Sequence, residues 1–286
     1  MTSVSTPELV ISACRGGVIG SFPTHNAATD RELHEWLSRM KGELETHAAP
    51  VAPNLVVHRS NARLDADLST LIQHGTELVI TSVGSPAPVV RPLHDAGALV
   101  FADVASLQHA WRALDAGADG LVLLTAGAGG QTGWANPFAF VRAVREQFAG
   151  PLVLAGGISD GHAILAAEVL GIDLAYLGTR FIATHQSGAS PDYRAALVAS
   201  TLDDVRLSDR VGGIPASLLS CWLEQQDDEE DTRRGFAQDQ LLANRSAWSA
   251  GHSVSGVNAV ATVQDVIDTL VAQYRQARNA AGFSES

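Results

Sequence analysis

"ALDAGADGLVLLT", residues 113–125, reads as the end of an amphipathic helix, then a glycine, then a strand with no polar face. Gly117 suits the left-handed conformation that closes a helix, where any Cβ would be strained. A strand that is apolar throughout, rather than alternating, fits a parallel strand covered on both sides. The unit recurs in "LIQHGTELVIT" at 71–81, "LHDAGALVFAD" at 93–103 and "AEVLGIDLAYLG" at 167–178, with Gly75, Gly97 and Gly171 at the same joint. The pattern predicts strands near 17–22, 52–58, 77–84, 99–104, 120–126, 151–158 and 174–183, with helices between. Thr29 or Asp30 can cap one of these helices, and Ser159 or Asp160 another.

Repeated right-handed βα units leave two architectures, an open doubly wound sheet or a closed (β/α)8 barrel. In the open sheet only the loops at the switch point are special. In a barrel every βα loop opens on one functional face. Here polar or glycine-rich stretches follow nearly every strand: "SFPTHN", "HRSN", "TSVGSP", "ADV", "TAGAGGQTG", "AGGISDG" and "GTRF". The expected fold is therefore α/β, a (β/α)8 TIM-type barrel with a helical C-terminal segment. Seven strands are visible rather than eight, because "MTSVSTPELVISACRGG" at 1–17 reads as a loop and a helix with no strand before them. The barrel is expected over 1–210 and a loop and helical insertion over 211–247. A late loop and a C-terminal helix over 248–286 complete the same domain. The charged run at 224–234 reads as solvated, and the end at 280–286 as frayed.

Composition narrows the function. The 286 residues are 46% hydrophobic and 17% charged, with a formal charge of −12, and Lys41 is the one lysine. No basic patch is visible for nucleic acid or an anionic membrane surface. Cys14 and Cys221 sit in apolar surroundings and form no CxxC or Cys/His cluster, so no metal site is expected. No run is long and apolar enough for a membrane span, and no basic region precedes a leader-like segment, so a cytoplasmic protein is expected. A homo-oligomer is left open.

Glycine between a strand and a helix leaves backbone N–H groups exposed, which makes an anion site. "AGGISDG" and "LGTRF" supply two such loops on consecutive strands, and the loops after the last two strands of a barrel often hold phosphate. A phosphate-bearing ligand is expected near Gly156, Gly157, Gly178 and Thr179. The competing reading is that these glycines serve turns and tight packing. "GAGG" at 127–130 is not followed by the acidic residue of a dinucleotide fingerprint, and no Walker lysine is present.

Three ordered stretches, "NLVVHRSN…ITSVGSPAPVVRPLHDAGALVFADV", "GLVLLTAGAGGQTGW…PFAFVRAVR" and "GPLVLAGGISDGHAILAAEVLGIDLAYLGTRFIAT", closely resemble the nitronate monooxygenase family, whose members are FMN-dependent barrel enzymes. "WSAGHSVSGV" at 248–257 is similar to the family's late flavin-side loop. The resemblance implies FMN as cofactor, with its phosphate on Gly156, Gly157, Gly178 and Thr179. It places the backbone of Gly129 and Gly130 at the flavin edge, Asn54 near the isoalloxazine ring, and Ser249, Gly251 and Ser253 beside the pocket. It implies oxidation of alkyl nitronates by O2 to a carbonyl compound and nitrite. The scaffold also serves FMN-dependent reductases or oxidases of other substrates, such as enoyl thioesters, and a non-catalytic flavin-binding relative would share it. Family members usually begin with an extra strand ending in a Pro-Met pair, and Met1 falls where that strand would end.

Gln131 departs from the resemblance. The corresponding family position is a histidine described as a catalytic base, and an amide takes no proton at any useful pH. A nitronate is already deprotonated, so Gln131 is expected to donate a hydrogen bond that orients it. His58, in "VVHRSN", is the first choice for a base, ahead of His25 in "SFPTHN"; for either, a structural hydrogen-bonding role is the competing and favoured reading. His162, His185 and His252 lie after later strands or in the late loop. No GxSxG elbow supports a serine triad.

Overall fold

The structure, a computed structural model, describes residues 1–226 and 235–282. Most of the charged run at 224–234 and the last four residues of the expected frayed end lie outside them. The strands are β1 (Gly20–Pro23), β2 (Val51–Val56), β3 (Leu78–Ser82), β4 (Leu99–Val104), β5 (Gly120–Leu124), β6 (Gly130–Gln131), β7 (Leu152–Ala155), β8 (Leu174–Tyr176), β9 (Val205–Ser208) and β10 (Ala216–Leu219). Seven of them form one curled parallel sheet in the order β1-β2-β3-β4-β5-β7-β8. Helices connect successive strands, as a TIM-type barrel requires.

The helix-to-strand joints read from the sequence are present. Gly75, Gly97, Gly117 and Gly171 all have positive φ, between 65° and 100°. The Thr29 side chain accepts from the Glu32 N–H at 3.1 Å, and Asp160 accepts from the Ala163 N–H at 2.9 Å, capping their helices. Strand β5 shows how the two faces divide. Leu121 and Leu123 point outward and pack under the helices with Phe140, Val141 and Val144, whereas Val122 and Leu124 point inward with Ile80, Phe101 and Val153. Each fully buried leucine of this kind contributes roughly 1.5–3 kcal/mol, so covering both faces fixes the sheet.

The barrel does not close through its backbone. β1 and β8 are the two ends of the sheet, and between them the Ser21 and Tyr176 hydroxyls hydrogen-bond at 3.0 Å. The helices Pro7–Arg15 and Val263–Ala280 pack over this side, burying Leu9, Ala13, Val263 and Ile267 together. The strand expected over 174–183 stops at Tyr176. Its neighbour β7 ends opposite it, Ala155 beside Tyr176, so the chain beyond has no ladder to join and turns into the short helix Thr179–Ile182.

A second sheet was not legible. β10 pairs antiparallel with both β9 and β6, in the order β6-β10-β9. The loop expected around 211–215 is the connection between β9 and β10, with Gly213 at φ 76°. This small sheet sits at the C-terminal mouth of the barrel and carries Gln131, opposite Ala216.

Candidate active site

One cavity of about 630 Å3 lies inside the curled sheet and opens at the C-terminal ends of its strands. That size is typical of a small-molecule site. Its floor is apolar, from Ala52, Ile80, Phe101, Val122 and Val153. One step further along the strands, the inward positions become polar: Asn54 on β2, Ser82 on β3 and Asp103 on β4. Strand alternation produces this layer, because residues two apart share a face.

These side chains are connected. The Ser82 hydroxyl donates to Asn54 Oδ1 at 2.7 Å, and Asn54 Nδ2 donates to Asp103 Oδ2 at 3.3 Å. Asp103 Oδ1 is buried and has no partner among the described residues. Burial pushes the Asp103 carboxyl up to about 7, against the opposing effect of the Asn54 hydrogen bond. Across the cavity, burial raises the Tyr176 hydroxyl to about 12, and nearby Asp103 adds to that shift. Asp103 is a site residue that the sequence reading passed over. Its signal was a lone acid inside "LVFADV", at a position that alternates with Phe101.

The two glycine-rich loops after β7 and β8 border the same cavity. Gly156 and Gly157 have φ of 132° and 70°, and a Cβ on Gly157 would meet nothing within 4 Å. A Cβ on Gly178 would meet only the Met1 side chain. Thr179 is buried, and its hydroxyl accepts from the Gly251 N–H at 3.0 Å. Arg180 is half-buried beside this region, near Asp160, and makes no hydrogen bond or ion pair among the described residues. Its cation was readable in "GTRF" but was not singled out.

The glycines at 127–130 have a different cause. A Cβ on Gly129 would lie 2.7 Å from the Gly251 nitrogen, backbone against backbone. Gly129 and Gly251 are therefore glycines because the two loops press together. Gly130 has φ 67° and faces Ser249 more loosely. Ser249 lines the cavity and its carbonyl accepts from the Tyr193 hydroxyl, while Ser253 lines it as well. Gln131 lines it too, half-buried, with no side-chain hydrogen bond among the described residues.

Of the two candidate histidines, His25 lines the cavity and His58 does not. His58 lies outside the cavity, where its Nδ1 hydrogen-bonds Ser60 at 2.8 Å and its ring meets Phe236 edge-on. His162, His185 and His252 are exposed and do not line it. His25 does, buried, with Nε2 at 3.1 Å from the Thr2 hydroxyl. Burial lowers His25 to about 3, so it is neutral at ordinary pH.

A parallel β/α barrel with one deep, polar-rimmed cavity at its C-terminal face is the layout of a barrel enzyme. The profile of the nitronate monooxygenase family matches residues 10–273. A nitronate monooxygenase from Paraburkholderia phytofirmans is 28% identical over 74% of this chain and 70% of its own length. A (3aS,4S,5R,7aS)-5-hydroxy-7a-methyl-1-oxo-octahydro-1H-indene-4-carboxyl-CoA dehydrogenase from Mycobacterium tuberculosis is 25% identical over 82% of this chain, which spans 65% of that protein. The solved nitroalkane oxidase of Streptomyces ansochromogenes shares the fold, with a TM-score of 0.85, 22% identity, and coverage of 98% of this chain and 94% of that one. The chain belongs to the nitronate monooxygenase family, and so is a flavin-dependent oxidoreductase.

Proposed function

We propose that this chain uses FMN and O2 to oxidise alkyl nitronates to a carbonyl compound and nitrite. The observation that carries this reading is the pairing of two glycine-rich loops with a polar wall around one cavity. The residues fit the cofactor. Gly157 and Gly178 leave backbone open where side chains would fill the space, and the Arg180 cation lies near Asp160 at the start of the following helix. Gly156, Gly157, Gly178 and Thr179 would hold the phosphate, with the Arg180 cation nearby. Asn54, which lines the cavity, would contact the ring system. When bound, the flavin supplies the electron transfer and the reaction with oxygen.

The rest falls to the chain. A nitronate carries its charge on two oxygens, and the Gln131 amide can donate to one of them without taking a proton. The apolar lining of the cavity lowers the dielectric around a bound nitronate, which strengthens that contact. His58 has no part in this reading, since it opens away from the cavity.

The test is the visible spectrum of the purified protein before and after anaerobic addition of propionate 3-nitronate, with the released flavin identified by chromatography. Flavin bands that bleach and return with air support the reading. A flavin that stays oxidised with every nitronate refutes it. Gln131→Ala is expected to raise KM for the nitronate about tenfold, the loss of one hydrogen bond to a charged group. Unchanged KM and kcat would remove Gln131 from the site.

A further inference from the structure

Outside the barrel cavity, two histidines meet at the surface. His34 is exposed on the helix Asp30–Glu43, and His74 is half-buried at the C-terminal cap of the helix Leu64–Gln73. His74 Nε2 and His34 Nδ1 stand 2.9 Å apart, although the residues lie 40 positions apart in the chain. The ring centroids are 4.4 Å apart, with an interplanar angle of 66°. Imidazoles joined end to end at this nitrogen separation would hold their centroids about 5 Å apart. Here the nitrogens therefore meet at an angle, and the hydrogen bond between them is bent and weaker than a straight one.

We propose that His34 Nδ1 and His74 Nε2 form a binding site for a divalent transition metal ion that prefers right-angled coordination, Cu(II) above all. Two imidazole nitrogens about 2.0–2.1 Å from one ion lie about 2.9 Å apart at a right angle and about 3.3 Å apart in a tetrahedron. The observed 2.9 Å matches the right angle, the arrangement of Cu(II) and Ni(II), and not the tetrahedron of Zn(II). Cu(II) also binds nitrogen sites most tightly of the divalent ions in this row. Binding releases no proton. The ring that donates the bridging N–H moves that proton to its other nitrogen, both inner lone pairs then face the ion, and water fills the remaining positions.

Among the described residues no third histidine, cysteine or carboxylate completes the group, so the protein supplies two ligands. Lys41 lies close enough to influence His74, and its charge weakens the site. Other histidines do not offer a second imidazole, since His94 is engaged by Asp119 and His58 by Ser60. The 40 positions between His34 and His74 separate them in the unfolded chain, so the ion favours the folded protein and stabilises it. Neither histidine lines the barrel cavity. The site therefore clamps two helices together without touching the flavin site, and it stands independently of the nitronate reading.

The experiment is a calorimetric titration of tag-free protein with Cu(II), delivered as its glycine complex so that weak single-histidine sites stay empty. The wild type is expected to bind a single ion per chain. His34→Asn and His74→Asn should each weaken that binding at least roughly tenfold, because losing a ligand costs no less than losing its outer-shell partner. Cu(II) should raise the melting temperature of the wild type and of neither variant. Without glycine and with substoichiometric Cu(II), the EPR spectrum of the wild type should carry the couplings of two imidazole nitrogens. No stoichiometric site in the wild type overturns the proposal, as does a site that survives unweakened in either variant. If a variant does not fold, a wild-type spectrum with fewer than two nitrogen couplings overturns it. Nitronate oxidation by the metal-free wild type reports on the proposed function alone, so the two readings fail separately.

Discussion

The backbone N–H of Gly251 donates to the Thr179 hydroxyl at 3.0 Å, tying the loop after β8 to the late loop at 249–252. Both residues are buried, so the bond has no water to replace it. It sets where the Thr179 end of the expected phosphate cradle stands relative to Gly129, which presses on the same Gly251 nitrogen. Thr179→Val keeps the shape and removes the acceptor. The unpaired N–H should cost about 1–3 kcal/mol, measured by urea denaturation, and flavin affinity should fall with it. Thr179→Ser should restore both, and a T179V protein as stable as wild type would mean that the bond contributes nothing.

Two glycines in these loops are predicted to respond differently to alanine. At Gly129 the new Cβ would lie 2.7 Å from the Gly251 nitrogen, and neither backbone can step aside without moving a loop. At Gly157 the Cβ would meet nothing, and only its φ of 70° is unfavourable. Gly157→Ala should cost about 1 kcal/mol. Gly129→Ala should cost more, about 2 kcal/mol or above, by overpacking. Thermal melts of the two variants rank them, and equal losses would contradict the loop-against-loop account.

Much of this was legible in the sequence for a definite physical reason. Gly75, Gly97, Gly117 and Gly171 are local signals, because a left-handed joint depends on the residue that occupies it. The strands they introduce are apolar throughout, which fits a covered parallel sheet. The pairing of β10 with β6 was not legible. β6 is two residues long, and its partner lies far along the chain, so nothing local marks Gly130 and Gln131 as a strand. The site was legible where backbone geometry demanded glycine and obscure where side chains meet. His58 and His25 stand in similar post-strand stretches, and only tertiary packing separates the one on Phe236 from the one in the cavity. Asp103 was visible as an acid in a strand, but its inward direction depended on the register.

The Ser21–Tyr176 hydrogen bond spans the side of the barrel where β1 and β8 do not pair. Tyr176→Phe should lower stability by about 1 kcal/mol, and Ser21→Ala by a similar amount. The double variant should lose little more than either, since each removes the same bond. Urea midpoints of the four proteins give the coupling. Fully additive losses would mean that the two hydroxyls do not stabilise one another.

His25 and Asp103 should give the protein two opposed pH dependences. His25 falls from about 6.5 when unfolded to about 3 when folded, so the unfolded chain binds more protons between those values and stability rises with pH there. Asp103 rises from the ordinary carboxylate value near 4 to about 7, so the folded chain binds more protons and stability falls as pH climbs through that range. Each slope is at most about 1.4 kcal/mol per pH unit, and between pH about 4 and about 6.5 they offset. Asp103→Asn removes the falling slope, so relative to wild type that variant should gain stability steadily as pH rises from about 4 to about 7. His25→Asn removes the rising slope and should gain relative to wild type as pH falls from about 6.5. Urea midpoints across this range check both, and curves for D103N and wild type that run parallel would show that Asp103 is not protonated at neutral pH in the folded protein.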